Sequence, residues 1–248
     1  MLLHLCTWKE VEAYLAESRG IIMPIGSTEQ HGPNGLIGTD AICAEVIARG
    51  VGAAVGAMVA PTISVGMAQH HLAFAGSVTL RPSTLIRVIR DSVVSLARHG
   101  FRHFYFVNGH GGNVATLKAA FSEIYAEVSM SPGSNAPNVR CRLKNWWTSP
   151  AVNKVSKELF GDKEGEHATP SEVAVTQYAC PEAIKRVAME PVPPGAPDFT
   201  DAEDYRRRFP DGRIGSDPSL ATPEHGKRIF DAAVADIGEE YKTFLAAD

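Results

Sequence analysis

His103-Phe104-Tyr105-Phe106-Val107, followed at once by Asn108-Gly109-His110-Gly111-Gly112-Asn113, is the stretch on which the fold reading turns. A short aromatic and apolar run that ends in glycines reads as a buried strand entering a tight turn. Ala115 to about Val128 then reads as a helix. Upstream, Leu85, Ile86, Ile89, Val93 and Leu96 recur at helical spacing between Ser83, a candidate N-cap, and Gly100, a natural helix stop. The same alternation occurs earlier in the chain. Ile21-Ile22-Met23-Pro24-Ile25 is a strand ending at Gly26, and Asp40 to about Gly50 is a helix. Ala57 to Ala60 is a second short strand stopped by Pro61, Ser77 to Leu80 a third, and Arg140 to Trp147 another.

Strand and helix in alternation predict an α/β fold, a mainly parallel sheet flanked by helices on both faces. Such sheets carry their sites in loops at the carboxyl ends of the strands. Two histidine-bearing, glycine-rich turns directly follow two of the predicted strands. The chain of 248 residues is expected to form a single domain over 1–248. The stretch from about 189 to 222 is rich in Pro, Gly and charge and is expected to be a long loop or arm. A last helix runs from near Pro223, with Thr222 as N-cap, to about Leu245.

Composition narrows the function classes. Hydrophobic residues make up 44% and charged residues 21%, an ordinary globular balance. The net charge of −4 argues against a nucleic-acid footprint. Cys6, Cys43, Cys141 and Cys180 are scattered without a C-x-x-C pair, which fits a reducing, cytoplasmic setting rather than a disulfide framework. No segment is long and apolar enough to predict a membrane span, and no signal peptide is evident.

The chemistry-bearing residues fall in three clusters. In the first, Glu29 and His31 are two apart, so an extended segment turns both side chains one way. Asp40 follows nine residues later, and two carboxylates with an imidazole suit zinc, manganese or iron. The competing reading makes Asp40 a helix N-cap and leaves Glu29 and His31 exposed. The second is His110 in its glycine turn, open either to a ligand or, alternatively, to a phosphate at a helix N-terminus. The third is Glu166-His167-Ala168-Thr169-Pro170-Ser171-Glu172. Thr169, Pro170 and Glu172 make a capping box, and His167 has an unperturbed pKa near ~6.5, suited to acid–base work. His70 and His71 follow a strand and are candidates to line a substrate pocket, as are Trp146 and Trp147, one of which is expected in the core.

These segments together resemble the creatininase family, the creatinine amidohydrolases. The resemblance rests on Pro24-Ile25-Gly26-Ser27-Thr28-Glu29-Gln30-His31-Gly32-Pro33, Gly38-Thr39-Asp40, Asn108-Gly109-His110-Gly111-Gly112-Asn113, and Glu166-His167-Ala168 with Ser171-Glu172. It implies two divalent metal ions (Zn, Mn or Fe) held by Glu29, His31, Asp40 and His110, with Asp40 bridging. It also implies a proton-shuttling His167 and a homo-oligomer, often a hexamer.

Two departures stand out. Creatininases proper carry an acidic residue where this chain has Gly112, and Glu172 is expected to supply the missing ligand. The stretch after Glu-His-Ala also differs, which argues against creatinine as substrate. The expected activity is hydrolysis of a C–N amide-type bond in a small molecule (cyclic amide, ureide or formamide). In that scheme a metal-bridging hydroxide is the nucleophile, His167 the general acid, and Glu166 its orienting or substrate-binding partner. The rival classes are a phosphate- or nucleotide-binding module and a catalytically silent metal-binding scaffold.

Overall fold

A computed structural model describes residues 1–130, 138–191, 195 and 198–247. Among these, four strands form one sheet: β1 (Gly20–Ile25), β2 (Met58–Val59), β3 (His103–Asn108) and β4 (Arg140–Asn145). Their order is β2-β1-β3-β4 and every pairing is parallel. The expected parallel α/β architecture is therefore present. β1 is buried at all six positions, as a continuous apolar run in a doubly covered parallel sheet should be.

Alternation along the strands divides the core in two. Ile22, Tyr105 and Val107 point to one face, where they meet α2 (Thr39–Val55), α5 (Pro150–Phe160), α6 (Pro170–Ala179) and α8 (Pro223–Ala246). Ile21, Met23, Ile25, Phe104 and Phe106 point to the other, against α1 (Trp8–Glu17), α3 (Pro82–His99) and α4 (Asn113–Met130). On α3, Leu85, Ile89, Val93 and Ala97 form the buried stripe. Burial of each of its larger side chains contributes about 1.5–3 kcal/mol.

Register places the site. Ile25 pairs with Asn108, and Asn108 with Asn145, so three strands end at one level. The loops that follow them start side by side.

Several local expectations change. Ser77 to Leu80 is not a strand of the sheet: Val78 makes an isolated antiparallel bridge with Thr28, and the Thr79 hydroxyl is taken by the Ala68 N–H. α3 starts at Pro82 with Arg81 as its N-cap, two residues before the expected Ser83, because proline favours the first helical position. β4 stops at Asn145, and the two tryptophans enter a short 3-10 turn, Trp146–Thr148. Within the expected loop of 189–222, residues 202–208 form α7 (Ala202–Arg208), capped by Asp201; positions 192–194 and 196–197 of it lie outside the described residues. α1 and α5 had no counterpart in the sequence reading. Among the described residues, no helix is long and apolar enough to cross a membrane.

Candidate metal centre

Glu29 and His31 lie in the loop after β1, Asp40 in the first turn of α2, His110 in the loop after β3, His167 in the loop just before α6 and Glu172 in the first turn of α6. The fold brings all six together. The N-cap of α2 is Gly38, so Asp40 is inside the helix, and its side chain turns toward the histidines. Glu29, His31 and Asp40 are 0%, 1% and 2% exposed, which overturns the reading in which Asp40 caps the helix and the other two face solvent.

Two triads share Asp40. Its Oδ2 is 3.0 Å from His110 Nδ1, which is 3.2 Å from Glu29 Oε1. Its Oδ1 is 3.0 Å from His31 Nε2, which is 3.6 Å from Glu172 Oε2. Within each triad, one donor atom from each residue lies within 4.8 Å of the others. Ligands bound at about 2.0–2.2 Å from a common ion stand roughly 3–3.5 Å apart, close to the 3.0–3.6 Å of the histidine–carboxylate contacts here.

The outer nitrogens reinforce this arrangement. His31 Nδ1 is 3.1 Å from the Glu29 carbonyl and His110 Nε2 is 3.0 Å from the Met67 carbonyl. A carbonyl only accepts, so each of these nitrogens carries a proton, and the inner nitrogens are left to face the carboxylates. That is how proteins orient metal-ligating histidines. Both oxygens of Glu29 and Oδ2 of Asp40 are buried without a hydrogen bond. The ring nitrogens of His71 and His110 stand near them at 3.0–3.2 Å. Buried carboxylate oxygens left in this state are costly unless a charge satisfies them, and the donor set fits a divalent ion.

The titration behaviour agrees. Burial alone would lower the His31 and His110 pKa values, but the facing carboxylates outweigh it and hold both well above the ordinary range. For Glu29 burial acts upward, and His110 and His71 outweigh it and hold the carboxyl well below its usual range. The cluster demands positive charge at its centre. His167 behaves oppositely: burial, then the neighbouring His71 and His31 rings, push it well below its usual range.

A cavity of about 420 Å³ opens on the cluster, a size suited to a small molecule. Asp40, His110, His167 and Glu172 border it, with Trp146, Trp147, Lys157 and Glu164 on its walls. Trp146 is in the core, as expected of one of the pair, Trp147 is half-buried, and both line the cavity. Glu166 is exposed at the rim, its N–H donating to the Ile214 carbonyl. His71, expected to line a substrate pocket, is buried with Nε2 3.1 Å from Glu29 Oε1. His70 is half-buried, its ring centroid 4.9 Å from that of Phe199. Burial, then His71, push its pKa down to about 4.

The family model for creatininase, described as creatinine amidohydrolase, matches residues 4–241. The chain belongs to the creatininase family. This creatininase-family hydrolase is 31% identical over 234 residues to the mycofactocin precursor peptide peptidase of Mycobacterium tuberculosis, covering 88% of this chain and 83% of the relative. To the creatinine amidohydrolase of Pseudomonas putida it is 26% identical over 242 residues, covering 94% and 93%. A solved mutant creatininase of zinc–zinc type superposes with a TM-score of 0.84 at 23% identity over 98% of both chains, a likeness of fold.

Within this creatininase-family chain, the glycine two residues after His110 has a steric reason. A Cβ on Gly112 would lie 2.4 Å from His110 Nε2 and 2.6 Å from the Met67 carbonyl oxygen, on the hydrogen bond that orients His110. Glu172 stands in the vicinity of His31 instead. Its Oε1 accepts from the Thr169 N–H at 2.6 Å to complete the capping box, and its Oε2 faces His31. The two roles use different oxygens of one carboxylate.

Three residues near the centre were missed from sequence: Gln30, Glu164 and Tyr205. Gln30 lies between two candidate ligands, and only that adjacency marked it. Glu164 reads as one more charge near a helix start. Tyr205 lies in the stretch expected to be loop.

Proposed function

We propose that this creatininase-family hydrolase is a binuclear metal-dependent amidohydrolase. Its substrate is a small molecule with a C–N amide-type bond: a cyclic amide, ureide or formamide. The observation that carries this reading is the pair of triads sharing Asp40, each with a histidine whose outer nitrogen is held by a backbone carbonyl. Glu29, His110 and Asp40 Oδ2 would hold one ion, and His31, Glu172 Oε2 and Asp40 Oδ1 the other. Bound there, zinc, manganese or iron supplies Lewis acidity and a nucleophile from water at neutral pH.

The chain's own residues do the rest. Asp40, whose two oxygens face different histidines, would lend one oxygen to each site. His167, half-buried at the cavity, takes up a proton at Nδ1, 4.0 Å from Glu29 Oε1, and passes it to the leaving nitrogen. The walls formed by Trp146 and Trp147 exclude water and orient the substrate. Glu166, exposed at the rim, contacts substrate rather than orienting His167. By family, the working form is a homo-oligomer, a hexamer.

The nucleotide-binding alternative fits less well. The polar groups of the Asn108–Asn113 turn are spent internally: the Asn108 side chain bonds the His110 backbone and Asn145, and Asn113 bonds Gly26 and Met67. Elemental analysis of the purified protein, with a panel of amides, ureides, formamides and short peptides, tests the reading. Two metal equivalents, both reduced in Asp40→Ala together with loss of turnover, are expected. Full metal content and activity in Asp40→Ala sink the proposal. Metal without turnover on any substrate favours a silent scaffold.

A further inference from the structure

Gln30 is buried between two histidines that border the centre and the arm that carries α7. Its side-chain amide has a defined orientation. Oε1 accepts from the Gly32 N–H at 2.8 Å, and Nε2 donates to the Gly212 carbonyl at 3.0 Å. Each end faces a backbone group of opposite character, so the amide cannot be turned over without losing both bonds. Gly212 has a φ of +89, and a Cβ on it would lie 1.8 Å from Gln30 Oε1, so only glycine brings that carbonyl so close.

With the amide fixed, the histidine protons follow. Gln30 Nε2 is 3.0 Å from His71 Nδ1. An NH2 group cannot accept, so His71 Nδ1 holds a lone pair and the His71 proton sits on Nε2, facing Glu29 Oε1. Gln30 Nε2 has four neighbours within 3.5 Å, and we assign its two N–H protons to His71 and Gly212, whose atoms there can only accept, since Tyr205 donates to Gly212 and the Gln30 carbonyl offers His167 an acceptor of its own. His167 Nε2 is 2.9 Å from both Gln30 Nε2 and the Gln30 carbonyl. No amide proton remains for it, so His167 donates from Nε2 to the carbonyl and its Nδ1 lone pair is left facing the centre.

We propose that Gln30 is a positioning residue that sets both tautomers: it keeps the His71 proton on Nε2, out of metal coordination, and leaves Nδ1 of His167 as the open nitrogen. The inference rests on the metal-centre reading only for its consequence in catalysis; the tautomers themselves are a property of the chain. Tyr205 belongs to the same device, since its hydroxyl donates to the Gly212 carbonyl at 2.8 Å and stands 3.5 Å from Gln30 Nε2.

The test is long-range proton–nitrogen correlation NMR on 15N-histidine-labelled protein, before and after addition of zinc. In the metal-free chain, His71 and His167 are expected to show the Nε2–H tautomer. Zinc is expected to shift the nitrogens of His31 and His110 as ligands, with His71 keeping its proton on Nε2. Gln30→Glu, which places an acceptor against His71, is expected to move the His71 proton to Nδ1 and to lower kcat about 10–100-fold, the usual cost of losing an outer partner of a metal site, with KM changed much less. A proton on Nδ1 of either His71 or His167 in the unsubstituted chain overturns the proposal, as does ligation of zinc by His71. If zinc moves no histidine resonance while the tautomers are as stated, it is the metal reading that fails and Gln30 keeps its role.

Discussion

Glu172 gives one carboxylate oxygen to the Thr169 N–H at 2.6 Å and turns the other toward His31 Nε2 at 3.6 Å. Capping the helix holds the carboxylate where it reaches the metal centre. A glutamine at this position keeps an oxygen for the cap and is a poor ligand. Glu172→Gln is therefore expected to lose one metal equivalent while the metal-free chain melts as before. Glu172→Ala removes both roles and should also destabilise the metal-free chain by about 1 kcal/mol. Full metal occupancy in Glu172→Gln would remove Glu172 from the ligand set.

Restoring the acidic residue of creatininases proper at Gly112 is expected to fail here. The new side chain would enter the space of the His110–Met67 hydrogen bond. Gly112→Glu should cost about 1–3 kcal/mol of stability, as overpacking does, and weaken metal binding by turning His110. Combined with Glu172→Gln, it should not restore the second equivalent. Recovery of two equivalents in the double variant, measured by elemental analysis, would show that the loop adapts and that the steric account is wrong.

His167 should separate binding from chemistry. Its Nε2 is tied to Gln30 and its Nδ1 lies 4.0 Å from Glu29 Oε1, farther than the 3.0–3.6 Å histidine–carboxylate contacts of the two triads. His167→Gln is expected to retain both metals and to lower kcat about 10²–10⁴-fold, the usual contribution of a positioned acid–base group. A variant that loses metal in proportion to activity would make His167 a ligand instead.

Much of this was legible in the chain because the signals are local. β1 and β3 are unbroken apolar runs, and the glycine turns that end them mark where Glu29, His31 and His110 leave the sheet. α1 was missed although Thr7 and Glu10 form a capping box, because most of its residues are exposed and its apolar stripe is thin. In the arm, the helix residues Glu203 and Asp204 precede Arg206, Arg207 and Arg208, a charge order that suits a helix, but flanking prolines and glycines hid it. The role of Gln30 could not be read beyond its place between two candidate ligands. Its meaning lies in contacts with His167, Tyr205 and Gly212, 137, 175 and 182 residues away.

Glu164 adds a pH dependence outside the triads. Burial, with a smaller push from Glu172, raises its carboxyl from 4.5 to about 7, against the lowering effect of the Ser171 hydroxyl that donates to it. Its Oε2 is buried without a partner. The folded chain therefore keeps a proton that the unfolded chain has released between about pH 4.5 and 7, and stability falls as pH rises through that window. The contribution is fully present below 4.5 and lost above about 7, an effect of at most about 3 kcal/mol. Urea unfolding in EDTA, run from pH 4.5 to 8, should show this decline, and Glu164→Gln should flatten it while gaining stability at the alkaline end. If the two chains follow parallel curves, the Glu164 carboxyl is ionised throughout and another group shapes the profile.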